Sequence, residues 1–194
     1  MAITDIDPSL VTTGNPVEGA CVYTTFAASP TYPTDASTAL GTGWESLGEV
    51  SDNGYSKQKN INTTDHRGWH GSVVLTTVDE ETNTLNIAFI EPNRPAVAKL
   101  MYGKENVTAG TDGSVSNIEG KAGGVKPHPI VIDELESNGF KRRTCFYNCM
   151  PTSFDEEPHR RGELLVYGFT FTAQDVTISG EVKQFDIWRA APSE

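Results

Sequence analysis

The residues best suited to chemistry are His66 and His70, separated by three positions, with Asp65 beside them. On a helix the two imidazoles would share a face and could hold a divalent cation. Gly68 and Gly71 work against a helix, however, and no third strong ligand follows at a recognisable interval. A surface loop is therefore the better reading of this stretch, and a metal-dependent enzyme using His66 and His70 is the outside alternative. Cys145 and Cys149 also invite pairing. In an extended strand the four steps between them span about 13 Å, well beyond disulfide reach. They are expected as buried thiols or isolated surface ones. The chain contains no Gly-x-Ser-x-Gly elbow, and no phosphate-cradling glycine loop precedes its candidate helix. Its carboxylates are too scattered to single out a catalytic pair. The expectation is thus no catalytic residue, no metal and no cofactor.

Composition narrows the function further. The 194 residues suit one domain with a real core, and they carry a formal net charge of −11. Such a balance argues against a nucleic-acid binder, because that affinity comes mostly from neutralised phosphates. The short basic clusters Lys141-Arg142-Arg143 and His159-Arg160-Arg161 sit in acidic surroundings and read as solvated faces or subunit salt bridges. An acidic wall could instead let DNA pass without sticking. Three cysteines leave at least one unpaired, and the first residues lack a basic start and an apolar run. Together these predict no signal peptide and folding in a reducing cytosol. No apolar stretch approaches the roughly 18 residues that a membrane span requires.

The elements that must position these residues are mostly strands. The one stretch with helical periodicity is about 93–102, where Asn93 can cap, Pro92 and Pro95 suit a first turn and Gly103 can close. Val97, Leu100 and Met101 make an apolar stripe that should lie against a sheet. Asp52-Asn53-Gly54 predicts a tight turn between strands over 44–51 and 55–60, and Asn138-Gly139 predicts a second hairpin. The remainder reads as follows: a polar connection over 61–71, a strand over 72–78, a solvated acidic turn at Asp79-Glu80-Glu81, and strands over 84–89, 163–172 and 185–188. Residues 26–43 read as a long loop, 1–18 as an N-terminal arm and 190–194 as a C-terminal tail. The expected fold is mainly β: a single antiparallel β-sandwich or barrel domain with one short flanking helix.

Four blocks in succession resemble the major tail proteins, or tail-tube proteins, of bacteriophages with long non-contractile tails. They are Tyr32-Pro33-Thr34-Asp35 with Gly43-Trp44; Leu47 to Gly54; Asp65 to Gly71 with its Trp69; and Phe89 to Asn93 continuing to Tyr102 to Thr108. Pro129 to Asp133, Lys141 to Arg143 and Tyr167 to Phe171 continue the likeness loosely. The resemblance implies a structural virion protein made in the host cytoplasm. Six copies would form a ring, and rings would stack into a tube with other tail proteins and pass DNA through the lumen without specific binding. It also implies kinship with the tube proteins of contractile tails and of type VI secretion.

Under this reading Asp52, Asn53, Gly54, Tyr55, Lys57, Lys59, Asp65 and Trp69 are candidates for contacts between rings, since polar segments that add little to a core can order on a neighbour. Asp79, Glu80, Glu81, Asp155, Glu156 and Glu157 are candidates for lumen charge. The rival from another class is an acidic sandwich that binds sugars or proteins and displays Trp44, Trp69 and Tyr32.

Overall fold

A computed structural model describes residues 10–17 and 19–192. Most of the expected N-terminal arm, and the last two residues of the expected tail, lie outside them. In chain order come β1 (Gly14–Pro16), β2 (Val22–Thr25), β3 (Trp44–Ser46), β4 (Val50–Arg67), β5 (Val73–Phe89) and α1 (Pro95–Tyr102). The hairpin β6 (Val107–Ala109) and β7 (Val115–Ile118) follows, then β8 (His128–Glu136), β9 (Lys141–Phe154) and β10 (Tyr167–Ala173). The small hairpin β11 (Val176–Ile178) and β12 (Glu181–Lys183) and the closing β13 (Phe185–Ala190) complete the set.

The main sheet is antiparallel and open, in the order β3-β2-β8-β9-β10-β5-β4. Strand β9 is its pivot. Its first half pairs with β8 on one edge and β13 on the other, and its second half pairs with β10 across a bulge. This change of partner lets the strands wrap a common core as in a sandwich, without closing a barrel. Asn138-Gly139 makes the expected turn between β8 and β9, with Gly139 at φ 82°. Strand β1 lies inside the stretch expected to be an arm, yet it pairs with Glu134–Glu136 of β8.

The core follows from alternation. Leu85, Ile87 and Phe89 of β5 face Phe171, Phe169 and Tyr167 of β10 in register, and all six are buried. Val97 and Leu100 of α1 pack into the same cluster with Leu47, Ile130 and Phe146. Each such side chain contributes about 1.5–3 kcal/mol on leaving water. The helix begins at Pro95, one residue later than an Asn93 cap would start it, and Arg94 is its cap residue with no side-chain cap bond. Asn93 lies in the preceding turn, where its carbonyl accepts from the Val115 amide at 3.0 Å. Gly103, at φ 92°, donates its amide to the Lys99 carbonyl and lies so near the Gly124 backbone that a side chain there would collide.

A second, smaller core covers the opposite face of β8 and the first half of β9. Val131, Cys145 and Tyr147 meet Tyr32, Leu40 and Trp44 from the loop region and Val176, Ile178 and Trp188 from the C-terminal end. Arg143 fastens the 26–43 loop to this face. Its buried guanidinium pairs with Asp133 at 2.6 and 2.8 Å and donates to the carbonyls of Asp35 and Thr38 at 3.2 and 2.6 Å. Within the loop the Asp35 carboxylate accepts from the hydroxyl and amide of Thr38 and the amide of Ser37, which hold it well below the usual carboxylate range.

The expected hairpin at Asp52-Asn53-Gly54 is not formed. Val50 and Tyr55 both pair with β5, opposite Phe89 and Ile87, so the four residues between them are an irregularity inside one strand, with Gly54 at φ 65°. The chain turns at residues 68–72 instead. The expected connection over 61–71 is mostly strand, and Asp79, Glu80 and Glu81 lie within β5 instead of a turn.

Candidate assembly surfaces

The first candidate surface is the far half of the β4–β5 hairpin. The main sheet stops at Thr84, the last β5 residue paired with β10, but β4 and β5 continue to pair with each other out to Arg67 and Val73. At 3.3 Å per residue this free ribbon, nine steps along β4 from Gln58 to Arg67, reaches about 30 Å from the body. Its apex is closed by Gly68 and Gly71, whose amides donate to Ser72 and Gly68, and by Arg67 donating to the Gly71 carbonyl. Polar links cross it, including Lys59 to Glu81 at 2.7 Å, Thr76 to Asp65 at 2.8 Å and His66 to Thr77 at 3.1 Å. Such exposed links contribute only a few tenths of a kcal/mol each.

The ribbon also carries an apolar load that none of the described residues covers. Trp69 at the apex is 99% exposed, and Ile61, Val74, Leu75 and Val78 are each at least half exposed. A two-stranded ribbon of this length is marginal in water by itself, and clustered exposed apolar groups mark an interaction surface.

The second candidate surface is the bare face of β4, β5, β10 and the second half of β9. Alternation that sends Leu85, Ile87, Phe169 and Phe171 inward sends Thr84, Asn86, Thr170 and Thr172 outward. From β4 come Ser56, Gln58 and Asn60, opposite Asn86, Thr84 and Thr82. The hydroxyls and amides bond across strands: Thr170 to Asn86 at 2.8 Å, Thr152 to Thr172 at 3.1 Å, and Asn86 to Ser56 at 3.5 Å. The lysines of β4 alternate to the other face, where the Lys57 amine lies 4.0 Å from the Phe185 ring centre. Charge appears only at the borders, with Glu80 opposite Asn62 at one end and the Asp155 side chain over Gly168 at the other.

The residues singled out from sequence fall in different places. Asp65, Trp69 and Lys59 project on the free ribbon, whereas Asp52, Asn53 and Gly54 lie at the β4 irregularity. Tyr55 and Lys57 are engaged within their own chain; burial pushes the Tyr55 phenol up, with Glu134 adding to the rise, and pulls the Lys57 ammonium down. Glu157 is turned toward α1 and accepts from the Tyr102 hydroxyl at 3.3 Å, while Glu156 is exposed in the loop after β9.

His66 is in β4 and His70 in the apical turn, and among the described residues no group of three His, Cys, Asp or Glu could hold a metal ion. Tyr32 and Trp44 are packed in the second core, with the Trp44 indole donating to the Thr31 carbonyl at 3.1 Å, so they form no platform with Trp69. Cys21, Cys145 and Cys149 are free and buried, and burial raises all three thiols. A cleft of about 620 Å³ between β1, β8 and the β4 irregularity is lined by Glu49, Asp52, Asp133 and Glu134 together with Tyr55 and Cys21.

Both candidate surfaces are hard to see in the sequence. The ribbon has water on both faces, so its β4 side beyond Asn60 lacks the alternation that marks a strand, although the β-branched run of 72–78 does read as one. The bare face does leave a signal, the uncharged residues interleaved with the core residues of 84–89 and 169–173.

No family model matches the chain, and no curated protein matches it. Solved structures do. A chain of the anti-feeding prophage cap, the tube-terminating cap, aligns with a TM-score of 0.43 and 15% identity over 98% of this chain and 100% of that one. A chain of the sheath–tube complex of an extracellular contractile injection system in its extended state aligns with a TM-score of 0.42 and 10% identity, covering 90% of this chain and 93% of that one.

Proposed function

We propose that the chain is a structural subunit that joins copies of itself into a tube, and specifically the major tail-tube protein of a phage with a long non-contractile tail. The observation that carries this reading is the free ribbon from Asn60 to Thr82, whose apolar groups are left exposed by the described residues of their own chain. Such a ribbon gains its packing only from a neighbour, and an open sheet whose β4 edge is unpaired can be continued by a second copy. The sequence blocks quoted above supply the rest of the reading: six copies to a ring, stacked rings, DNA passing through, and other tail proteins at the ends.

In this assembly Trp69 and Asp65 reach from one ring to the next, with Lys59 at the base of the ribbon. The protein works by contact and carries no reaction of its own. Sedimentation of the purified chain over a rising concentration series is expected to show rings or longer polymers. A single monomer boundary at every concentration, with tail-assembly proteins added as well as without, would overturn the proposal.

A further inference from the structure

We propose that the bare face of β4, β5, β10 and the second half of β9 is the inner wall of the tube, so that the passage is lined through its middle by hydroxyls and amides, with carboxylates only at its borders. This rests on the tube reading above and adds to it which face turns inward and what chemistry that face presents.

Bulk decides the orientation. On these four strands α1 and the main core lie on one side of the sheet, and the other side carries mostly small and polar residues such as Ser56, Thr84, Thr170 and Thr172, with Met150 beside Thr172 as its one large apolar side chain among the described residues. When wedge-shaped copies are joined edge to edge in a closed ring, the thin side faces the axis, where room is least, and the thick side faces out. The reverse arrangement would crowd the helices together at the centre. The second core covers the corresponding outer face of β8 and the first half of β9, so the uncovered face is confined to the strands next to the free β4 edge.

The chemistry agrees with this orientation. In a chain of net charge −11, a four-stranded face free of charge away from its borders is a feature that solubility alone does not require. A cationic wall would hold a polyanion by counterion release, with the effect multiplied by every copy in a ring. An acidic wall would keep the polyanion from sticking but would also repel it at the entrance. Hydroxyls and amides already bonded to one another offer neither, and they remain wetted. Glu80 and Asp155, at the borders, then place the expected lumen charge at the junctions between rings.

The test uses the quiet thiol background, since all three native cysteines are buried. Thr84→Cys and Thr172→Cys place a thiol on the bare face, and Glu105→Cys places one on the helix side. Each is treated, as assembled tubes and as dissociated subunits, with a small maleimide and with a maleimide carried on a globular protein too wide for the channel. In tubes, both wall thiols are expected to react with the small reagent and to lose reaction with the bulky one, while Glu105→Cys keeps both. Tubes in which the bulky reagent still labels either wall position overturn the assignment, and so do tubes in which neither reagent does, because the face would then be a subunit contact. If Thr84→Cys does not assemble, Thr172→Cys decides. Absence of tubes from the unsubstituted chain would instead refute the underlying reading, and the wall with it.

Discussion

Replacing Asn60 to Thr82 with an Asn-Gly turn is expected to abolish assembly and leave a folded monomer. Lys59 and Asn83 sit opposite each other, so a two-residue turn can join them without disturbing the register below. The segment removed includes Trp69, Ile61, Val74, Leu75 and Val78 but none of the main core, and the buried Asn83 keeps its bond to Gln184 at 2.7 Å. Denaturant unfolding of the shortened chain should therefore stay within about 1 kcal/mol of the parent, in the range of surface changes. Sedimentation should show monomer alone. A shortened chain that still forms polymers would remove the ribbon from the contacts.

The second large effect is expected at Arg143. Arg143→Ala leaves Asp133, which is mostly buried, without its partner and frees the carbonyls of Asp35 and Thr38. Breaking a buried pair from one side costs about 3–5 kcal/mol, more than the net worth of the pair, because one charge stays buried alone. The midpoint of guanidinium unfolding should fall accordingly, and the fluorescence of Trp44 should report loosening of the 26–43 loop before the main core opens. Changing Asp133→Asn together with Arg143→Met should recover part of the loss. A single-site cost below about 1 kcal/mol would mean that the loop is held by its aromatic contacts alone.

The fold was legible wherever one face of a strand is buried. Leu85, Ile87 and Phe89 alternate with polar residues, and β5 and β10 follow from that pattern. Asn138-Gly139 makes the turn its chemistry predicts. Legibility ended where burial ended. In β4 the residues from Ile61 to Arg67 are all exposed, so no period marks them as a strand, and Asn53-Gly54 read as a turn although pairing with β5 runs on past it. Asp79 to Glu81 read as a turn for the same reason: in a ribbon wetted on both sides, charge carries no desolvation cost that would exclude it from a strand.

The helix shows the smaller error, since Asn93 had the right chemistry for a cap but lies in the preceding turn. Net acidity drew attention to acidic clusters as wall residues. The alternation of β5 and β10 had already set Thr84, Asn86, Thr170 and Thr172 on one uncovered face.

The central claim, that this chain exists to join copies of itself around a hole, is tested most directly by negative-stain electron microscopy of the concentrated, purified protein. The account predicts rings in end view and striated tubes in side view, with stain filling a central channel. Fields of isolated, solid particles the size of one chain, unchanged by concentration or by added tail-assembly proteins, would contradict it.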